Sequence, residues 1–292
     1  MGFFGLDNET LSLFTLGNIL VPESITILEY QWLLQQNELP KEIIPGRTIV
    51  LGTEIAEQIV IELLLKKGFM HILLSKKEDL IREINLAIQL LTNPKEVFKN
   101  PANLFFSNKN SKNFKYEFSN SKDKSKILTS LDHYLNGIPK SNSIRAPIII
   151  QANELIMNAT FSAPTDQKGE HFHQLTDRTS EVELGYEKRA CLFAAFNEKQ
   201  ILLGCEDAFG SLEIPKFLEQ VQKNYSKGVS NSINFGAGGA GIGSYMIFQS
   251  SKTFCLLVEP GIKTIFCSLL PLGLSLKAVD SKPRNIHLLL KS

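Results

Sequence analysis

Phe235-Gly-Ala-Gly-Gly-Ala-Gly-Ile-Gly-Ser-Tyr245 places Gly236, Gly238, Gly239, Gly241 and Gly243 within eight positions and runs at once into the helix-compatible Tyr245-Met-Ile-Phe-Gln-Ser250. Glycine removes the Cβ that blocks close approach and permits positive φ, and the N–H groups at a helix start form a seat for phosphate. The alternative is a flexible surface loop. Two well-known glycine signatures fit poorly. A Walker loop needs a lysine before its final Ser or Thr, and Gly243-Ser244 has none. A dinucleotide fingerprint follows a strand early in a βαβ unit, whereas this loop lies late in the chain, ahead of two apolar runs joined by Glu259-Pro260-Gly261.

Two further motifs lie upstream. Glu154-Leu-Ile-Met-Asn158-Ala falls within an apolar-periodic helix, and Asp207-Ala-Phe-Gly210-Ser-Leu follows the strand-like Ile201-Leu-Leu-Gly-Cys-Glu206. The order is Glu-x-x-x-Asn on a helix, Asp-x-x-Gly after a strand, a Ser/Asn/Gly-rich lid over 225–235, then the glycine run. It resembles the GHKL ATPases, the Bergerat-fold superfamily of gyrases, histidine kinases, anti-sigma-factor kinases and mismatch-repair ATPases. The resemblance covers roughly Lys126 to the C-terminus and is greatest to bacterial regulatory proteins that join a receiver-like domain to a histidine-kinase-type ATP-binding domain.

The resemblance implies ATP and Mg²⁺ as ligands and assigns the residues. Asn158 would offer Mg²⁺ a neutral oxygen, and Glu154, one turn earlier on the same face, would orient or deprotonate the attacking group. Asp207 would accept the adenine amino group, with Gly210 letting the chain turn beneath the ring. Gly239, Gly241 and Gly243 would present phosphate-facing backbone. The chain departs from the commoner Asp-x-Gly-x-Gly in keeping one glycine of the two.

Composition sets the other bounds. The chain has 292 residues, 43% hydrophobic and 21% charged, with a formal charge of +1, which fits two modest globular domains and gives no argument for nucleic acid. No uninterrupted apolar stretch reaches the roughly 18–20 residues of a membrane span, and the N-terminus lacks a signal-peptide pattern, so no membrane insertion is expected. Cys191, Cys205, Cys255 and Cys267 lie in apolar runs without Cys-x-x-Cys spacing, which predicts buried free thiols in a reducing cytoplasm. His171, His173 and Asp177 lie in a polar insertion over 165–180 without a third ligand of fixed spacing, and read as solvated side chains.

Periodicity predicts strands at 18–21, 48–51 and 70–74 and helices over 24–35, 54–67 and 77–91, an α/β alternation of parallel βαβ type. The alternation resembles the second half of a response-regulator receiver, with Lys76 near the place of the receiver lysine. The first strand carries no acidic pair, so the resemblance is to a degenerate receiver that does not accept phosphate; an unrelated α/β docking domain is the alternative. Residues 1–95 form that domain, 96–124 an aromatic-containing linker, and 125–292 the ATP-binding domain.

In the second domain, helices are expected over 125–135, 146–161 and 214–223, and strands over 181–185, 189–196, 200–205, 253–258, 263–269 and 285–290. The expected architecture is an α+β domain, helices covering one face of a mixed sheet. Only one short helix, bearing His133, precedes it, so autophosphorylation on a two-helix hairpin is not expected. The chain reads as a cytoplasmic signalling protein with a protein partner, compatible with a homodimer. It is either a histidine-kinase-like or anti-sigma-like kinase or a non-catalytic, ATP-gated interaction module.

Overall fold

The computed structural model describes residues 2–16, 19–53, 55–75, 77–105, 113–166, 168–173, 175–227, 247–274 and 284–291. In chain order the elements are β1 (Gly2–Phe4), α1 (Asn8–Leu16), β2 (Thr26–Glu29), α2 (Tyr30–Leu34), β3 (Thr48–Leu51), α3 (Glu57–Lys67), β4 (His71–Leu73), α4 (Lys77–Thr92), α5 (Pro94–Lys99), α6 (Pro101–Phe105) and β5 (Phe114–Phe118). There follow α7 (Lys124–Asn136), α8 (Arg145–Met157), β6 (Ala190–Phe196), β7 (Gln200–Asp207), α9 (Ile214–Lys227), β8 (Thr253–Glu259), β9 (Lys263–Pro271) and β10 (Asn285–Leu290). The chain divides into two compact units, Met1–Lys99 with Pro283–Leu289, and Asn100–Lys282 with Leu290–Ser292.

The first unit is α/β. Strands β1 to β4 pair in parallel and in chain order, and β10 joins β4 antiparallel, with Ile286 opposite Ile72 and His287 opposite His71. Thr48-Ile-Val-Leu51 is buried at every position, as in parallel sheets covered on both faces. On α4, Leu80, Ile84, Ala87 and Ile88 recur at helical spacing and pack with Ile27, Ile49 and Leu73 of the strands. α3 stops at Gly68, whose φ of 71° is the left-handed conformation of a helix C-terminus.

Several expectations are corrected in this unit. The run expected as a strand at 18–21 is irregular in its described part, and Ile19 and Val21 are apolar because both enter the core. The helix expected over 24–35 divides into β2 and α2, with the Glu29 carboxylate accepting the N–H groups of Gln31 and Trp32 to start the helix. The four parallel strands stand in consecutive order, as the second half of a doubly wound 2-1-3-4-5 sheet does, and the reversal that belongs to the first half of such a sheet is not present among them. Lys76 lies outside the described residues.

The second unit carries an antiparallel sheet in which β9 sits between β8 and β7, and β6 and β5 follow. The mixing of parallel and antiparallel strands therefore occurs in the first unit. The stretch expected as a linker takes in the end of α5, α6 and the edge strand β5, and its alternating Phe114, Tyr116 and Phe118 pair with β6. The strand expected at 181–185 reduces to a single bridge between Glu183 and Asn120. α8 packs on β6 and β7; from α9, Phe217 stacks on Phe254 of β8 at 5.6 Å and meets Phe266 of β9 edge-on at 5.8 Å. The four cysteines are buried free thiols. Among the described residues no helix is long and apolar enough to cross a membrane.

Candidate functional site

Helix α8 is apolar on most sides, with Ile148, Ala152, Leu155 and Ile156 buried, which fixes it against the sheet. At Asn158 it passes into a π-helical turn over Asn158–Ser162, closed by the Ala163 N–H donating to the Asn158 carbonyl at 2.8 Å. Such turns widen a helix locally and recur at functional sites. The Asn158 side chain makes no hydrogen bond among the described residues and lines a cavity of about 690 Å³.

Asp207, the last residue of β7, lines the same cavity and is 8% exposed. Its Oδ1 accepts the backbone N–H of Phe209 at 2.9 Å and of Gly210 at 3.3 Å, so the carboxylate organises the turn that follows it. Burial pushes its pKa up to about 6, against those two N–H groups and Thr264. Thr264 stands opposite Asp207 on β9. It favours the ionised carboxyl, although its hydroxyl is a buried group without a partner of full hydrogen-bond geometry.

The two motifs are joined physically. Ser211 Oγ donates to the Ala163 carbonyl at 2.7 Å, linking the turn after Asp207 to the end of the π-helical segment. Lys188 Nζ donates to the Ala208 carbonyl at 2.8 Å and lies 5.3 Å above the Phe209 ring. Leu155 of α8, Phe217 of α9, and Cys205 and Phe266 of the sheet give the cavity an apolar side, and polar residues including Asn158, Arg178 and buried Asp207 line the rest.

The other expected residues fall differently. Glu154 sits one turn before Asn158 but does not line the cavity. Burial raises its pKa, opposed by Arg178, whose Nη1 is 3.9 Å from Glu154 Oε2, and by Lys124. Gly210 has a φ of 59°, and a Cβ there would meet the Glu259 carbonyl and stand 2.7 Å from Ile262 N and 2.8 Å from Lys263 N. The turn between β8 and β9 is what requires glycine at this position, and the Gly261 N–H donates to the Gly210 carbonyl at 3.2 Å. Gly239, Gly241 and Gly243 lie outside the described residues.

Sequence reasoning missed Thr264, which only the β7–β9 register brings to Asp207, and Arg178, which lines the cavity from the polar insertion. His171 and His173 also line it, the first exposed and the second half-buried. The Asp177 carboxylate is occupied by the N–H and hydroxyl of Thr179, both at 2.8 Å. Among the described residues no group of three His, Cys, Asp or Glu side chains is placed to hold a metal. No protein-family model and no curated protein matches this chain.

Proposed function

We propose that the second unit binds ATP with Mg²⁺ in the manner of a GHKL domain, and that the protein is an ATP-dependent signalling protein acting on a protein partner. The observation that carries this reading is the single cavity lined by both Asn158 and buried Asp207. Its lining mixes apolar side chains such as Leu155, Phe217 and Phe266, against which a planar base can lie, with polar and charged groups that can hold a polar ligand's other end. At neutral pH an acid held at about 6 is mostly ionised, and a carboxylate that faces Phe209, Gly210 and Thr264 still has acceptor capacity for an exocyclic amino group.

The donor set fits a metal that arrives on its nucleotide. Asn158 offers one uncommitted neutral oxygen, and no carboxylate cage competes among the described residues. Mg²⁺ held by Asn158 and the phosphates would neutralise phosphate charge. Gly239, Gly241 and Gly243 enter this reading on the sequence resemblance alone. The first unit is read with it as a receiver-like regulatory domain without phosphate chemistry, supported by its four parallel strands and qualified by the lack of a reversal among them.

The test is calorimetry of the full chain with ATP and Mg²⁺. Binding is expected, and Asn158→Ala should weaken the Mg²⁺-dependent part by about tenfold, the worth of one charge-assisted contact. Absence of ATP binding to the wild-type protein sinks the reading. A second reading, a non-catalytic ATP-gated interaction module, is favoured by Glu154, which stands off the cavity and pairs with Arg178. γ-Labelled ATP separates the two: turnover reduced by Glu154→Gln with no loss of ATP affinity supports a kinase or ATPase, and binding without turnover supports the module.

A further inference from the structure

Arg178 is the cavity-lining cation whose bonding is least committed. Lys216 also lines the cavity, but its Nζ is 2.6 Å from Glu213, another lining residue. Arg178 is half-buried, its guanidinium makes no hydrogen bond among the described residues, and its one ion pair, to Glu154, is long at 3.9 Å. Five N–H donors thus stand at the cavity with only a loose carboxylate opposite them. A planar guanidinium matches a phosphate with two parallel hydrogen bonds, a stronger arrangement than a single distant charge contact.

Resting on the nucleotide reading above, we propose that Arg178 is the positioning residue that reads the polyphosphate of a nucleoside triphosphate, exchanging Glu154 for a phosphate when the ligand enters. Glu154 lies one turn before Asn158, which caps the C-terminal end of α8, so the carboxylate that Arg178 leaves is one turn from the residue that would hold the metal. In the free protein Arg178 draws charge on Glu154 and opposes the effect of burial. Once it turns to phosphate, burial acts on Glu154 with less opposition and the carboxyl becomes the better proton acceptor. Occupancy of the phosphate site and readiness of Glu154 are coupled through one side chain.

The experiment is calorimetry of the full chain with ATP, ADP, AMP and adenosine, each with Mg²⁺, on wild type, Arg178→Ala, Arg178→Lys, Glu154→Gln and the Arg178→Ala/Glu154→Gln double variant. Wild-type affinity should rise with phosphate number. Arg178→Ala should lower ATP affinity about tenfold while leaving adenosine unchanged, and Arg178→Lys should recover part of the loss. Glu154→Gln, by releasing Arg178, should raise ATP affinity about threefold in the wild-type background and not at all beside Arg178→Ala.

Equal losses for ATP and adenosine in Arg178→Ala would show a structural role and overturn the proposal. So would unchanged ATP affinity, or the same Glu154→Gln effect in both backgrounds. In each of those cases wild type still binds ATP, so the nucleotide reading survives. If none of the four ligands binds wild type, that reading falls and takes this proposal with it.

Discussion

Asp207→Asn raises the stability of the protein at pH 8 by up to about 3 kcal/mol and removes ATP binding. The sign follows from the direction of the shift. A carboxyl held at about 6 in the folded chain and 3.8 in the unfolded chain is protonated in both states below pH 3.8 and contributes nothing there. Between the two values the folded state keeps a proton that the unfolded state has released, so stability falls as pH rises. Above about 6 both states are ionised and the whole cost of burying the charge is present, about 1.4 kcal/mol for each tenfold displacement. Asparagine is neutral, and its Oδ1 still accepts from Phe209 and Gly210.

The measurement is urea denaturation of wild type and Asp207→Asn at pH 4 and pH 8, with ATP titrations at pH 8. Curves that separate at pH 8 and converge at pH 4 are expected. The same residue that costs stability would then be the one that accepts the base, a trade made at functional sites. Equal stability at both pH values would show that the charge is better solvated than its burial implies. Retained ATP affinity would remove Asp207 from base recognition.

Where periodicity and burial agree, the fold was legible. Thr48–Leu51, the two long helices of the first unit and the strand pairs around 190–207 and 253–271 form close to where alternation and helical spacing put them. The short elements were not. Glu29 ends β2 and caps α2 at once, so Thr26–Leu34 carries no single period. The aromatic alternation at Phe114, Tyr116 and Phe118 was a strand signal set among Asn, Lys and Ser residues that read as linker.

The site divides along the same line. Glu154 and Asn158 are four apart on one helix, so local spacing placed them together. Asp207 announced itself through the turn it organises. Thr264 reaches Asp207 only through strand register, and Arg178 reaches Glu154 through an insertion with no period, so neither had a local signal. Gly210 illustrates the converse. The motif pointed to a glycine that lets the chain turn beneath a ligand, and the structure gives that glycine a reason of its own, since the backbone of the β8–β9 turn fills the space its Cβ would take.

The C-terminal strand gives the other large expected effect. β10 is a strand, as its apolar pattern predicts, but His287 and Asn285 bind it into the first unit. Asn285 Oδ1 accepts the Leu74 N–H at 2.9 Å, and its Nδ2 donates to Ser75 Oγ at 2.6 Å. His287 Nε2 lies 3.3 Å from Glu83 Oε2, and its Nδ1 lies 3.2 Å from His71 Nδ1, with all three side chains fully buried. Burial raises the Glu83 pKa, but His287 and then Arg82 outweigh it and hold the carboxyl below its ordinary value. An ionised carboxylate only accepts, so Glu83 keeps a proton on His287 Nε2. Burial, and then His287, hold His71 well below 6.5 and therefore neutral.

Glu83→Leu leaves the His287 N–H buried without its acceptor, and the expected loss is about 3–5 kcal/mol at pH 7. Replacing Glu83, His71 and His287 together by leucine removes the stranded donor and the orphaned His71 Nε2, so the triple variant should recover most of that loss. Acid has a related effect on wild type. Below about 6.5 the unfolded chain takes up a proton at His71 that the folded chain refuses, so stability falls as pH falls, and the triple variant should lack this limb. Urea denaturation of all three proteins at pH 7 and pH 5 decides the matter. A triple variant weaker than Glu83→Leu would show that packing of these side chains, and not the buried polar chain, secures the strand.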